Sequence, residues 1–237
     1  MIRLGVTGTD TGVGKTVVAC ALAAAMTRRG LAVAAMKPIE TGVLADDPNR
    51  DGARLARAAG ARRPLSVTAP ITYVDPVAPL VAAQRERRFV DLEALDAAMR
   101  EASRDHDVLL VEGAGGILVP ITERLAFDGL FARWSLDPIV VAANRLGVIN
   151  HVRLTLAAVR NAGLRPRVVV LSELHLAPAD PSIADNARMI EELERIPVCS
   201  LPWLPHLDDL ERAADVAERS GLVELSAPAA AAPKPVS

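Results

Sequence analysis

Six strand-length runs constrain this chain more than any other feature. They are "IRLGVT" (2–7), "LAVAAMK" (31–37), "DVLLVE" (107–112), "PIVVAA" (138–143), "RVVVLS" (167–172) and "PVCSLP" (197–202). As a set they read as continuous apolar stretches, which is how strands read when helices cover both faces of a parallel sheet. Helix-period segments separate them. Residues 15–29 place Val17, Val18, Ala21, Leu22, Ala25 and Met26 three or four apart, then Gly30 follows, so an amphipathic helix with a C-terminal glycine is expected. Asp91 opens a helix over 91–104, Asn150 is expected to cap one over 149–163 that Gly163 ends, and another covers 182–195. The expected fold is α/β: a single doubly wound, mostly parallel sheet of about seven strands flanked by helices. Ligands in such sheets bind beyond the carboxyl ends of the strands.

The chain has 237 residues, which favours one domain, here 1–224, followed by an Ala/Pro-rich stretch 225–237 expected to be disordered. Hydrophobic residues make up 51%, enough for a sizeable core, and a net charge of −2 argues against a nucleic-acid or anionic-membrane partner. Cys20 and Cys199 sit in apolar surroundings with no Cys or His at metal spacing, so a reduced, cytoplasmic protein is expected. The N-terminus lacks the pattern of a signal peptide, and no apolar run reaches the ~18 residues of a membrane span.

Between the first strand and the first helix lies "TGTDTGVGKT" (7–16). Its end, Gly14-Lys15-Thr16, is how a phosphate-binding loop finishes, although five residues rather than four separate Gly8 from Gly14 and an acid, Asp10, sits inside. Glycines let backbone N–H groups approach phosphate, and the helix N-terminus favours negative charge. Lys15 can reach the β- and γ-phosphates, and the Thr16 hydroxyl is placed for Mg²⁺. The sheet is therefore expected to be of the P-loop NTPase type and to bind a nucleotide.

Three of the 27 basic residues are lysines: Lys15, Lys37 and Lys234. The first two each follow an apolar run, in a chain that otherwise uses arginine. That points to sites needing a compact ammonium. Lys37 in "MKPIETG" is expected to project over the same sheet edge as Lys15, and two lysines converging on a terminal phosphate suit phosphoryl transfer. Glu112 ends an apolar strand, where a P-loop enzyme puts a second magnesium contact. The "GAGG" after it lets backbone pass close to a ligand. Asp51 opens a helix; by position it is equally a plain N-cap.

In order and spacing, "TGTDTGVGKT", "KPIETG", "VEGAGG", "LGVINH" (146–151) and "PWL" (202–204) resemble the dethiobiotin synthetases over roughly residues 2–205. The resemblance implies a homodimeric, Mg²⁺-dependent ligase that makes a ureido ring from 7,8-diaminopelargonate, CO₂ and ATP. A carbamate attacks the γ-phosphate, and the second amine then closes the ring and expels phosphate. It implies that Lys15 and Lys37 stabilise the carbamate and the transferring phosphoryl group, and that Thr16, Asp51 and Glu112 hold the metal. ATP would lie along Gly12, Val13, Gly14, Lys15, Thr16 and Val17 and against Gly113, Ala114 and Gly115. Thr11, Lys37 and Thr41 would face the substrate. Gly147, Val148 and Asn150 of the partner subunit would hold its carboxylate, as a helix N-terminus can.

Two features depart from the family pattern. Many members carry Asn-Asp after the strand matching 167–172, where the Asn reads adenine; here Ser172 and Glu173 stand there. Base reading is then relaxed or moved to Pro202, Trp203 and Leu204. Residues 76–90 are also unusually Arg-rich, which reads as a solvated face. The competing functions are a partition- or septum-type switch ATPase and a cobyrinate-type amide synthetase. The first predicts a lysine at the start of the loop, where this chain has Asp10. The second needs an amidotransferase domain for which the chain is too short.

Overall fold

The computed structural model describes residues 1–173, 180–204 and 206–227. Their elements run β1 (Ile2–Gly8), α1 (Lys15–Arg28), β2 (Val33–Met36), β3 (Ile39–Thr41), α2 (Asp51–Ala58), α3 (Leu65–Thr68), β4 (Ile71–Tyr73), α4 (Pro79–Arg85) and α5 (Leu92–Ser103). Then follow β5 (Val108–Gly116), α6 (Phe127–Arg133), β6 (Asp137–Ala143), α7 (Val148–Asn161), β7 (Val168–Ser172), α8 (Ile183–Glu194), β8 (Val198–Leu201), α9 (Leu210–Arg219) and α10 (Leu222–Ser226).

The main sheet is wholly parallel in the order β2-β5-β1-β6-β7-β8. It has six strands, at the six apolar runs, rather than about seven. A separate two-stranded parallel sheet pairs β3 with β4. Its origin is local: after Met36 the chain leaves the main sheet, the Lys37 N–H bonds to the Thr68 carbonyl, and Pro38 has no N–H to continue the ladder.

Two apolar layers flank the sheet. On one side Leu4 and Val6 of β1 pack with α1, α9 and α10. On the other, Leu109 and Val111 of β5 and Val140 of β6 pack with α5, α6 and α7. The sheet is thus doubly wound, as its two-sided apolarity requires. α1 differs from the expected amphipathic helix: every residue from Val18 to Met26 is buried, because α2 and α9 cover the side that would face water.

Helix ends agree in part with the sequence. The Asp91 carboxylate accepts the Ala94 N–H and caps α5. Gly30 and Gly163 adopt positive φ beyond α1 and α7. Asn150 is not a cap: α7 begins at Val148 after Gly147, placing Asn150 third in the helix. The expected tail from 225 begins inside α10, and Ser226 and Ala227 are buried; residues 228–237 lie outside the described residues. No described helix is long and apolar enough to cross a membrane.

Candidate active site

The loop between β1 and α1 sits at the carboxyl edge of a central strand, where the order of strands reverses. Gly12 and Gly14 have φ of 74° and 95°, a conformation open to glycine. A Cβ on Gly8 would lie 2.8 Å from the Asp10 carbonyl and 3.1 Å from the Lys15 Nζ, so the loop folds tightly over its own lysine. Asp10 is part of that fold. Its carbonyl accepts Lys15 Nζ at 2.9 Å, and its carboxylate accepts the Thr11 N–H at 2.7 Å.

Register brings the remaining groups in. Met36 pairs with Val111, so the residues that follow, Lys37 and Glu112, meet at the strand ends. Lys37 Nζ donates to Glu112 Oε1 at 2.5 Å and to Asp51 Oδ2 at 3.2 Å. The Thr16 hydroxyl donates to the same Glu112 oxygen at 2.9 Å. Lys37 is therefore buried in a charge cluster rather than standing at a solvent-facing edge. Asp51 is the first residue of α2, with Arg50 at the cap position, so its carboxylate serves the cluster and not the helix end. β5 runs on through the "GAGG" segment to Gly116, which pairs with Gly8 across a register shift.

Burial lowers the Lys15 ammonium to about 8, and the charge of Lys37 pushes the same way. Burial would lower Lys37 too, but the carboxylates of Glu112 and Asp51 outweigh it and hold its pKa above the ordinary value. Burial pushes the Glu112 carboxyl up against the pull of Lys37. Burial also works to raise Asp51, yet Lys37 prevails and its carboxyl is held low.

A cavity of about 630 Å³ opens over this cluster. It brings together Thr11, Gly12, Gly14, Lys15, Thr16, Val17, Lys37, Thr41, Asp51, Glu112, Ala114 and Gly115. Val13 is buried beneath the loop, and Gly113 packs on Phe127. Sequence reasoning missed one wall, made by Val43, Pro76, Val77, Ala78, Pro79 and Val119, and also Glu40. The arginines after that wall are exposed, as a solvated face requires, and two of them also make surface contacts. Arg85 pairs with Asp75 at 3.0 Å, Arg88 donates to the Thr72 carbonyl at 2.9 Å, and its guanidinium lies 4.7 Å over the Tyr73 ring. Glu86 accepts the Val74 N–H at 2.7 Å, so α4 fastens the 74–79 loop that lines the cavity.

The other expected residues lie outside this cavity. Ser172 is buried at the end of β7, with Pro202 and the half-exposed Trp203 just past β8 and Leu204 buried. Beside Ser172 stands Asn144, whose N–H bonds to the Ser172 carbonyl and whose side chain accepts from Asn186 at 2.9 Å. Gly147 and Asn150 line a separate open cavity of about 740 Å³ on the outer face of α7, and Val148 is buried behind it.

The residues fit a magnesium ion. The available donors are a hydroxyl and two carboxylates, all hard oxygens, and Glu112 Oε2 is buried without a partner among the described residues. No group of three or more His, Cys, Asp or Glu gathers among the described residues.

A parallel sheet with a Gly-Lys-Thr loop at its central strand and an acid on the neighbouring strand defines the class: P-loop nucleotide-binding proteins. Solved structures agree on the fold. The MinC:MinD cell division protein complex of Aquifex aeolicus aligns with a TM-score of 0.55 at 12% identity, covering 100% of this chain and 99% of that one. A ParA family ATPase from Chlorobium tepidum gives 0.51 at 14%, covering 97% of each. A family model described as an AAA domain matches residues 3–211. The ATP-dependent dethiobiotin synthetase of Anaeromyxobacter dehalogenans (strain 2CP-C) is 43% identical over 214 residues, 90% of this chain and 95% of the relative. That of Aquifex aeolicus is 36% identical over 224 residues, 94% and 96%. The chain belongs to the ATP-dependent dethiobiotin synthetase family.

Proposed function

We propose that the protein is an ATP-dependent cyclo-ligase of biotin biosynthesis that converts 7,8-diaminopelargonate and CO₂ to dethiobiotin, with release of ADP and phosphate. The observation that carries this beyond ATP binding is Lys37. A second buried ammonium, held between two carboxylates within the P-loop cavity, suits a reaction in which an anionic nucleophile must approach an anionic phosphate.

One substrate amine adds to CO₂ and loses a proton, giving a carbamate. Lys37 and Lys15 offset the charge of that carbamate and of the γ-phosphate while a carbamate oxygen attacks phosphorus and ADP departs. The second amine then attacks the carbonyl carbon. The C–O bond to phosphate breaks, the amine proton is lost and the ring closes. Phosphorylation is what makes the carbamate oxygen a leaving group. Thr16, Asp51 and Glu112 would hold Mg²⁺, which when bound neutralises charge on the β- and γ-phosphates. Thr11 and Thr41 face the reacting end of the substrate. The apolar wall from Pro76 to Pro79 fits its methylene chain. Asn150 at the start of α7 would hold the far carboxylate from a partner subunit. The two buried, free thiols suit a reducing cytoplasm.

The purified protein should form dethiobiotin from the diamine, bicarbonate and MgATP, with one ADP per ring measured by mass spectrometry and a coupled assay. ATP hydrolysis that ignores the diamine and yields no ring would overturn the assignment in favour of a nucleotide switch.

A further inference from the structure

Asp51 reaches the cluster from a half-buried position: its side chain is 45% accessible, against 6% for Lys37 and none for Glu112. Its own packing does not fix it. Its two neighbours are fixed instead, and by a single buried residue. Glu40 on β3 is 2% exposed, and its Oε2 pairs with the guanidinium of Arg50, itself buried. Its Oε1 accepts the Gly52 N–H at 2.8 Å. One carboxylate thus clamps the residue before Asp51 and the residue after it. The fit is close: a Cβ on Gly52 would fall 2.7 Å from Glu40 Oε2 and 2.5 Å from Ala69 Cβ. Glu40 also lines the cavity and immediately precedes Thr41.

We propose that the buried Glu40–Arg50 pair is a positioning device that holds the Asp51 carboxylate in place beside Lys37 and Glu112, and so sets how tightly the site takes a divalent cation. Two buried charges cost desolvation that a pair of apolar residues would avoid, so the pair is not explained as a source of stability. A rigid N-terminus for α2 explains it. Without the clamp, Asp51 would swing with the start of an eight-residue helix whose own cap side chain bonds none of its first N–H groups. The positional part rests on geometry alone; the cation part rests on the function proposed above.

Glu40→Gln alone leaves Arg50 buried without a counter-charge and endangers folding. The double variant Glu40→Gln/Arg50→Met removes both charges and is the one to measure, beside Asp51→Asn and the parent. Mn²⁺ titration in the presence of ADP, followed by electron paramagnetic resonance, should show about tenfold weaker binding in the folded double variant. ADP binding in chelator should be unchanged, and a crystal structure should show Asp51 displaced from Lys37. Asp51 retained at its 3.2 Å contact, with Mn²⁺ affinity within twofold of the parent, would overturn the proposal. If Asp51→Asn also left Mn²⁺ affinity intact, the metal assignment would fail, while the position of Asp51 in the double variant would still decide the clamp.

Discussion

Lys37 carries two jobs that substitution can separate. On the proposed function, removing it would withdraw a charge from the transferring phosphoryl group, and it leaves Glu112 buried without its counter-ion. Lys37→Ala should lower turnover by at least ~10²-fold, the usual scale for losing a transition-state charge contact. It should also destabilise the protein by about 3–5 kcal/mol near neutral pH, as breaking one side of a buried pair does. Without Lys37, burial leaves the Glu112 carboxyl pKa above its unfolded value. Stability is then fully present at low pH and lost as pH rises through that folded pKa. Melts of Lys37→Ala should thus recover toward the parent on acidification. Lys37→Met/Glu112→Gln should regain stability without activity. A variant with near-normal turnover, or a melt that worsens in acid relative to the parent, refutes this account. Lys15 gives a pH effect on binding. Its ammonium loses its proton at about 8 in the free protein because burial and Lys37 disfavour the charge. Triphosphate favours the charged form, so ATP affinity should fall as pH rises through that value, and binding should take up protons there. Calorimetry at about pH 8.5 in two buffers of different ionisation heat measures the uptake; identical heats in both would refute it.

At the scale of elements, legibility followed burial. The six main strands showed in the sequence because both faces are covered, which writes a continuous apolar run. β3 and β4 did not, since three residues such as "IET" or "ITY" carry no period. α3, α4 and α6 are too short for one. α1 misled in the other direction: its 3–4 spacing suggested a wet face that α9 in fact covers. The site divides the same way. Lys15, Thr16 and Glu112 announce themselves by local motif, whereas Glu40 and Arg50 matter only once the chain folds, and the Pro76–Pro79 wall reads as a plain loop. Packing between elements also explains one residue that looks like a defect. Gly5 interrupts central strand β1, yet a Cβ there would meet the Phe131 ring at 2.4 Å. Phe131 in turn packs edge-on against Phe127 at 6.4 Å between ring centres. Gly5→Ala should therefore destabilise by about 1–3 kcal/mol through overpacking rather than stabilise by propensity. Thermal melts test this. Phe131→Leu on top of Gly5→Ala should restore part of the loss; an unchanged melting temperature in Gly5→Ala would show that α6 yields freely.

At the scale of the whole molecule, one chain does not bring all the proposed contacts together. Asn150 and Gly147 line an open cavity on the outer face of α7, separate from the one that holds Lys15, Lys37 and Thr41. That face carries exposed leucines beside the Arg153–Glu194 and Arg160–Glu194 ion pairs: Leu146 is 80% exposed, and Leu154 on α7 is 62% exposed. A two-fold partner covering it would bury both leucines. It would also carry Asn150 of one subunit to the cavity of the other, because an isologous contact places the same pair of surfaces on both sides of the axis. The consequence is stoichiometric. On the proposed function Lys37→Ala would be inactive through its own cavity, and Asn150→Ala through the cavity it would serve. If the protein is such a dimer, random subunit exchange would make half the dimers hybrids, each with one site in which Lys37 and Asn150 are both intact. Activity should return to about a quarter of the parent level at equal mixing. The same mixture with Lys15→Ala in place of Asn150→Ala should recover nothing, because both lesions then lie in the P-loop cavity of their own chain and every hybrid site carries one of them. No recovery in the first mixture, with exchange shown by mass-labelled subunits, would place Asn150 outside the partner's site.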